Sequence, residues 1–447
     1  MFAKYGMNGI WTEAQLAQHN KVGARLDKLN IKPEWFDDLG IGKRREGIDH
    51  RRMSNNSIGF IEKPEKEFMD LVFEMMQLEG EPGFVNLGEA ARRVLATLGN
   101  EKPSKKEIAD KAYQLGLNPC VEIILHSKNV CNLTTINLVK FVKEDGTLDV
   151  DGLTRAQQLS ARMGLRMTLA TLELPEWDKT QKRDRLLGVS LTGWKDAMDM
   201  LNYTQEEEDE LKKLLNKVAT DEADSYSKNL RVNAPMFVTA VKPEGTLSQV
   251  AGGVSSGLHW SHSPHFIRRI RISSNDPLVK VAKELGWTIH AEVGTNNMVT
   301  EEELAKPEQI SVASTLVIDF PVSSGAKTTK DDVSIDEQFD NYFSFQSLYT
   351  DMNTSNTMTV KPGEWEQAQQ RVWDGWSNFV GVSFLSHDGG TYTLAPYEAV
   401  DEDRYEELKQ SMKPFNAKLL MKYEFGEIGE DALLADDECS TGVCPIR

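Results

Sequence analysis

Cysteine is scarce in this sequence, whose 447 residues include only four. That number is too small for the disulfide framework of a secreted domain, and the spacing of the four is not that of paired zinc knuckles. Positive charge is also in deficit, since 51 Lys and Arg stand against 69 Asp and Glu, for a formal net charge of -18. We therefore expect no direct nucleic-acid binding, because phosphate neutralisation needs clustered cations.

Long apolar runs and a signal-like amino terminus are absent as well. We therefore expect no membrane partner and a cytoplasmic location. What is present is ordinary for a globular protein, with 40% hydrophobic and 27% charged residues. The length suffices for one large α/β domain or for two to three smaller ones.

Hydrophobic periodicity predicts alternating helices and strands, the pattern of an α/β protein. Ser104 and Glu107 stand at the capping-box offset and predict a helix over 104–115, which we expect Gly116 to end. Further helices are predicted at 66–78, 88–99, 151–170, 181–201, 205–230, 333–350 and 362–377. Strands are predicted at 84–87, 135–139, 315–321 and 357–360.

The segment 118–122 reads Asn-Pro-Cys-Val-Glu, and Cys131 follows eleven residues after Cys120. A thiol, a carboxylate and a second thiol form a compact set for one-electron and proton chemistry. The Glu122 carboxylate would raise the pKa of the Cys120 thiol and discourage thiolate formation. A nucleophilic cysteine usually has a histidine or another cation beside it, so the pattern favours loss of a hydrogen atom over nucleophilic attack.

Cys439 and Cys444 lie in an acidic, glycine-containing segment at the end of the sequence. Two interpretations stay open for this pair. The cysteines could form a dithiol that moves and exchanges through a mixed disulfide. They could equally be two unconstrained thiols on a flexible tail.

A turn at Gly245, Thr246, Leu247 and Ser248 follows a predicted strand and could present amides and hydroxyls to an anion. The Gly-Lys-Ser/Thr ending of a phosphate-binding Walker loop is absent, so an ordinary strand-turn-helix junction is the favoured interpretation of the turn taken alone.

Three histidines at 259, 262 and 265 suggest a metal site, but Pro264 interrupts any regular helix across them. No further ligand stands at a standard spacing, and we expect no metal there. The arginines at 268, 269 and 271 are expected in a salt-bridged strand or at a helix start.

These motifs together resemble ribonucleotide reductases. The closest likeness is to the adenosylcobalamin-dependent (class II), monomeric kind that reduces ribonucleoside triphosphates. The resemblance runs in the same order from about residue 50 to the end, and it covers only the later part of such a catalytic chain. The matching segments are 51–57, 80–87, 118–123, 131–133, 242–248, 261–269 and the two terminal cysteines.

The resemblance implies an α/β fold that is the later part of a ten-stranded α/β barrel. A central finger loop carries the radical cysteine, and a flexible C-terminal redox tail follows the barrel. On this basis we expect a polar helical leader at 1–50, the catalytic barrel portion at 51–425 and the tail with its dithiol at 426–447.

The family likeness also implies roles for individual residues. Cys120 becomes the thiyl radical that abstracts the 3′-hydrogen of the ribonucleotide, Glu122 the base on the 3′-hydroxyl, and Asn118 a hydrogen-bonding partner of the ribose hydroxyls. Cys131 is half of the dithiol that reduces the 2′-position, and Cys439 with Cys444 re-reduces it. The turn from Gly245 to Ser248 would hold substrate phosphates.

Adenosylcobalamin would supply the initiating radical, because no amino acid does so alone. The resemblance puts its contacts around 273–334 and 393–432, with no individual residue assigned. A thioredoxin-like protein would be the external reductant.

One departure from the family pattern matters most. The family places the partner of Cys131 on an early strand, with the loops that bind the allosteric nucleotide, and no cysteine precedes Cys120 here. A short polar leader and the intact later positions favour a split enzyme, in which a second chain supplies this N-terminal half. The other hypotheses are an inactive chain and a non-catalytic thiol-redox or assembly subunit. A class I large-subunit fragment is disfavoured by the absence of a Tyr-Tyr pair, and the anaerobic class by the absence of a glycyl-radical segment.

Overall fold

The computed structural model describes residues 57–79, 82–387 and 393–425. The described chain divides into two compact units. The first comprises the described residues up to Ser261 together with 326–387, and the second comprises His262–Gly325 with 393–425. The expected leader at 1–50 and the expected tail at 426–447, with Cys439 and Cys444, lie outside the described residues.

The helices and strands are numbered in chain order over both units. Up to Ser261 they are β1 (Ser57–Phe60), α1 (Lys66–Glu79), β2 (Gly83–Asn86), α2 (Leu87–Thr97), α3 (Lys105–Ala112), β3 (Leu115–Leu117), β4 (Ile124–His126), β5 (Leu133–Asn137), α4 (Val150–Met167), α5 (Pro175–Asp184), β6 (Gly188–Thr192), α6 (Trp194–Leu201), α7 (Gln205–Leu230) and α8 (Leu247–Val250). The remainder are β7 (His265–Ser273), α9 (Pro277–Glu284), β8 (Ile289–Ala291), α10 (Glu301–Leu304), α11 (Pro307–Val312), β9 (Thr315–Ser323), α12 (Ile335–Leu348), β10 (Thr357–Val360), α13 (Trp365–Asp374), β11 (Gly381–Ser386), β12 (Tyr397–Ala399), α14 (Glu402–Ser411) and α15 (Ala417–Phe425).

The first unit is a mixed α/β structure, as the sequence predicts. Its strands include a sheet in the order β1-β2-β11-β10, in which β2 and β11 are antiparallel and the outer pairs are parallel. Strands β5 and β6 form a parallel pair, with Leu133 opposite Gly188. Parallel bridges from Val189 to Thr239 and from Val241 to Thr354 continue this pairing. The segment 239–241 therefore runs alongside β6 on one side and beside Thr354 on the other.

Strand β6 is buried along its whole length. All five of its residues are buried, which is typical of a parallel strand covered on both faces. Helices α4 and α7 bury their apolar sides against this part of the sheet. Their contacts form a cluster of Ala161, Leu165, Leu187, Val189, Ala219, Ala223 and Val238.

Two sequence predictions are wrong here. The helix expected over 181–201 is three elements, because α5 ends at Asp184 with Arg185 in a left-handed conformation and α6 starts after Gly193. The segment between them is strand β6, a run of five buried residues that includes Ser190 and Thr192 and is too short for its pattern to distinguish a strand from a helix. Gly116 does not end α3, which stops at Ala112. It lies in β3 and pairs with Leu125 of β4.

Other predictions are confirmed. Ser104 and Glu107 form the expected capping box, and β10 and α7 have the predicted limits. The described helices include none with the length and apolar character needed to cross a membrane.

The second unit is built on an antiparallel sheet in the order β12-β7-β9-β8. The three arginines at 268, 269 and 271 lie in β7, which confirms the salt-bridged strand. Arg269 is completely buried, donates to Asp319 at 3.1 Å and pairs with Glu301 and Glu398. A buried arginine with three carboxylates is satisfied by charge and by hydrogen bonds.

Candidate active site

A short hairpin presents the central motif. Strands β3 and β4 pair antiparallel, and the loop between them contains residues 118–123. Asn118 closes the loop twice, because its carbonyl oxygen accepts from Val121 N at 2.9 Å and its side-chain Oδ1 accepts from Ile123 N at 3.0 Å. These bonds fix both ends of the turn that carries Cys120 and Glu122.

Cys120 and Glu122 face different surroundings although one residue separates them. Cys120 is exposed, whereas Glu122 is 1% exposed. The Asn118 side chain lies close enough to the Glu122 carboxyl group to lower its pKa, and Oε2 of that group is buried without a hydrogen-bond partner in the described part of the chain. A buried carboxyl oxygen with no partner is able to accept a hydrogen bond from a bound hydroxyl.

Cys131 lies just before β5 and is half-buried against an apolar cluster that includes Ile123 and Leu133. The absence of a side chain at Gly188 makes this packing possible. A Cβ there would meet Leu133 Cδ2 at 2.4 Å and Ile123 Cδ1 at 2.9 Å. Gly188 thus lets the hairpin loop and the start of β5 pack against the same part of β6.

The electrostatics show that the two thiols and the carboxyl are neighbours. Burial raises the pKa of Cys120, and the charge of Glu122 raises it further, as the sequence predicts. Burial, Glu122 and then Cys120 raise the pKa of Cys131 to about 12. Burial also raises the pKa of Glu122, against the lowering effect of the Asn118 side chain. All three groups are therefore biased towards their protonated forms.

Two further residues at this site were not identified as functional from the sequence. The Lys242 ammonium lowers the pKa of Cys120, Glu122 and Cys131, and Glu244 raises that of Glu122. Both residues belong to segment 242–248, one of those that resemble the family. The signal that could have identified them is a Lys-x-Glu pair directly before the glycine of the candidate phosphate turn.

Glu244 is anchored in the sheet. It is 1% exposed and has a φ of 59, and its Oε1 accepts from the hydroxyls of Thr135 in β5 and Ser190 in β6. Ser190 Oγ also accepts from the backbone N of Lys242 at 2.9 Å. Oε2 of Glu244 lies 3.6 Å from Lys242 Nζ. The ammonium therefore has a fixed counter-charge beside it.

The predicted turn and helix at 245–248 are present, whereas the segment before them forms isolated bridges at Thr239 and Val241 and no strand. Gly245, Thr246 and Leu247 are exposed, and the one-turn helix α8 starts at Leu247. Ser248 is buried, donates its backbone N–H to Glu244 O and lies with its hydroxyl 3.0 Å from that of Ser256. Phosphate binding by this turn stays a prediction.

The three histidines do not share one environment. His259 uses both ring nitrogens, since Nδ1 lies 2.8 Å from the Ser256 carbonyl oxygen and Nε2 accepts from Thr357 N at 2.9 Å. His265 contacts Tyr405 in the second unit, with the two rings tilted by 31°.

The regions expected to contact adenosylcobalamin fall largely in the second unit. Its buried polar groups are largely occupied by one another, as Arg269 and His290 both bind Asp319. These described side chains do not define a place for the cofactor, and we assign none of them to it.

Comparison with known proteins agrees with the resemblance. The family described as "Ribonucleotide reductase, barrel domain" matches residues 46–231, a span that includes Cys120, Glu122 and Cys131. The adenosylcobalamin-dependent ribonucleoside-triphosphate reductase of Levilactobacillus brevis is 26% identical over 429 residues, which are 89% of this chain and 53% of that protein. The protein of the same name from Lactobacillus gasseri is 28% identical over 433 residues, with the same two shares.

A crystal structure of a B-12 dependent (class II) ribonucleotide reductase has the same fold, with a TM-score of 0.66 at 23% identity. The match covers 86% of this chain and 53% of that one. The chain spans about half the length of the curated relatives that it matches. The chain thus resembles the class II, adenosylcobalamin-dependent ribonucleotide reductases over about half of their length.

Proposed function

We propose that this chain carries the radical site of a class II ribonucleotide reductase. It would reduce ribonucleotides, as triphosphates, to 2′-deoxyribonucleotides for DNA precursor synthesis, in the reducing cytoplasm. The observation that carries the proposal is the grouping of an exposed thiol, a buried carboxyl and a second thiol whose ionisations influence one another. A ribose bound beside them would meet a hydrogen-atom acceptor, a base and a reductant.

Cys120 would exchange a hydrogen atom with the 3′-carbon. Adenosylcobalamin, when bound, supplies the initiating radical. The raised pKa of Cys120 keeps its thiol protonated, which this chemistry requires because a thiolate has no hydrogen atom to give back. The exposure of Cys120 leaves its sulfur open to a substrate.

Glu122 would take the proton of the 3′-hydroxyl as water leaves the 2′-carbon. Its raised pKa supports this role, because a base works best when its pKa approaches the operating pH. The Asn118 side chain favours the ionised carboxyl, and the unpartnered Oε2 is able to accept a hydrogen bond. In this scheme Asn118 acts on the base as well as on the ribose.

Cys131 would supply half of the reducing power. Reduction of the 2′-position takes two electrons, so its thiol needs a second thiol with which to form a disulfide. We propose that a separate chain supplies it, together with the allosteric site. Cys439 and Cys444 would then reduce that disulfide by exchange, and a thioredoxin-like protein would reduce them in turn.

Substrate phosphates would bind at the turn of Gly245, Thr246 and Leu247. Its exposure leaves the main chain accessible, and the partly exposed Lys242 beside it adds a positive charge. Ser248 would support the turn from within, because it is buried and close to Ser256.

Reconstitution tests the proposal. The chain is mixed with the N-terminal half of a class II reductase, a ribonucleoside triphosphate, adenosylcobalamin and a dithiol, and deoxynucleotide is measured. We expect turnover with the wild type and none with Cys120→Ser. Lys217→Met, an exposed substitution on α7, is the control. Turnover that persists in Cys120→Ser contradicts the radical site, and a complex without turnover favours an assembly subunit.

A further inference from the structure

Val121 has a backbone conformation that its side chain disfavours. Its φ of 67 lies in the left-handed region, where a β-branched residue is a genuine outlier. The residue stands between Cys120 and Glu122, so its conformation decides how thiol and carboxyl are presented. Strain of this kind persists only where the surrounding structure holds it.

One fully buried polar side chain bonds the Val121 peptide, and a second orients the first. Asn353 donates from Nδ2 to the Val121 carbonyl oxygen at 2.9 Å. Oδ1 of Asn353 accepts from the Tyr342 hydroxyl at 2.9 Å, and that hydroxyl also lies 3.1 Å from the Gly381 carbonyl oxygen. The backbone carbonyl of Asn353 accepts from Val241 N at 3.1 Å. The amide that holds Val121 is thus oriented from two sides.

The Val121 side chain occupies space that a side chain at position 381 would take. A Cβ on Gly381 would meet Val121 Cγ1 at 2.3 Å, closer than real Cβ contacts come. Gly381 stands in β11 and is not among the glycines with positive φ. What the glycine supplies is therefore room for Val121.

We propose that Asn353 is a positioning residue for the radical site, and that with Tyr342 and Gly381 it clamps Val121 and fixes the Cys120 thiol relative to the Glu122 carboxyl. The role rests on the proposed function, in which hydrogen-atom and proton transfer at one ribose need both groups in a set geometry. The clamp itself is a property of the loop and is measurable without turnover.

Thiol alkylation measures the clamp. Iodoacetamide is reacted with the native full chain, and the rates at Cys120 and Cys131 are obtained by mass spectrometry of their peptides. Asn353→Ala removes the bond to Val121, and we expect the Cys120 to Cys131 rate ratio to change severalfold as Cys120 moves relative to Glu122. Tyr342→Phe, which keeps the ring, should shift the ratio in the same direction by less.

The matched control is Asn341→Ala. Asn341 is also buried, lies on α12 next to Tyr342 and donates to a backbone carbonyl, that of Leu258, at 3.1 Å. We expect it to lower stability without changing the rate ratio. A purely structural role for Asn353 predicts that the two variants behave alike.

A rescue experiment separates the clamp from general packing. Gly381→Ala should change the rate ratio severalfold by displacing Val121. Val121→Ala removes the clashing Cγ1, so the double variant should return towards the wild-type ratio. The proposal is overturned if Asn353→Ala and Gly381→Ala both leave the ratio unchanged, or if Val121→Ala does not rescue Gly381→Ala. Failure of the proposed function gives a different result, because turnover then persists in Cys120→Ser whether or not the ratio of alkylation rates changes.

Discussion

Lys242 Nζ lies 3.6 Å from Oε2 of the buried Glu244. The carboxyl is held on its other side by Thr135 of β5 and Ser190 of β6. The lysine side chain is about one-third exposed, whereas the glutamate side chain is completely buried. The pair therefore links a charge at the candidate site to a fixed point in the sheet.

Removing this charge should make both thiols less reactive. Lys242→Met eliminates the ammonium that lowers the pKa of Cys120 and Cys131, so each pKa should rise and each alkylation rate at pH 8 should fall severalfold. Iodoacetamide kinetics from pH 7 to 10 measure the change. Lys217→Met, which removes an exposed lysine paired with Asp221, should leave both rates as they are. Unchanged rates in Lys242→Met would show that the ammonium does not act on the thiols.

Cys131 should titrate far above an ordinary thiol. Its pKa of about 12 predicts an alkylation rate that still rises between pH 9 and 10.5, where a free thiol with a pKa of about 8.5 has levelled off. The same experiment in urea, with the chain unfolded, should give the ordinary titration. A plateau below pH 9.5 in the native protein would contradict the burial of this thiol beside Glu122.

Glu122 should destabilise the fold at neutral and higher pH. Its pKa is raised in the folded state. Its contribution to the free energy of unfolding is therefore favourable below the ordinary carboxyl pKa and is lost as the pH rises through the pKa of the folded state. Glu122→Gln should therefore raise the midpoint of thermal unfolding at pH 8 and have little effect at pH 4.

Glu107→Gln is a control of opposite sign. Hydrogen bonds from Ser104 lower the pKa of Glu107. The stabilising contribution of this carboxylate to folding is therefore present above the ordinary pKa and is lost as the pH falls through the lowered pKa. That variant should lower the midpoint at pH 8 more than at pH 4. Equal pH responses of the two variants would refute the assigned environments.

Local sequence signals predicted the parts of the fold that local chemistry determines. The capping box at Ser104 and the limits of α7 and β10 follow from caps and periodicity. Strand β6 is not recognisable from its own sequence because it is short and buried on both faces, so its five residues fit a helix equally well. Its identity as a strand depends on pairing with β5, which no local pattern encodes.

The candidate site likewise has features that the sequence predicts and features that it does not. The motif around Cys120 and Glu122 was visible in the sequence, and so was the effect of the carboxylate on the thiol. The left-handed Val121 and the buried Glu244 were not, because β-branched residues rarely adopt positive φ and carboxylates are rarely buried. Both depend on distant contacts, with Asn353 for the valine and with Thr135 and Ser190 for the glutamate.

Gly188 should be intolerant of a side chain. In Gly188→Ala the new Cβ would collide with Leu133 and Ile123, and overpacking of this kind costs about 1–3 kcal/mol. Denaturant unfolding measures the loss, and Cys131 should be alkylated faster because the packing that half-buries it is disturbed. Gly116→Ala, where a Cβ meets no atom within 4 Å, should be nearly neutral. Equal effects of the two would mean that the contact at Gly188 is not tight.

Hydrogen abstraction from the ribose by Cys120 is the central claim, and a 3′-deuterated ribonucleoside triphosphate tests it most directly. In the reconstituted enzyme, deoxynucleotide formation from the deuterated and the ordinary substrate is compared in direct competition. We predict a primary isotope effect in the wild type and no product from either substrate in Cys120→Ser. An equal rate for both substrates, together with product from Cys120→Ser, would contradict the account.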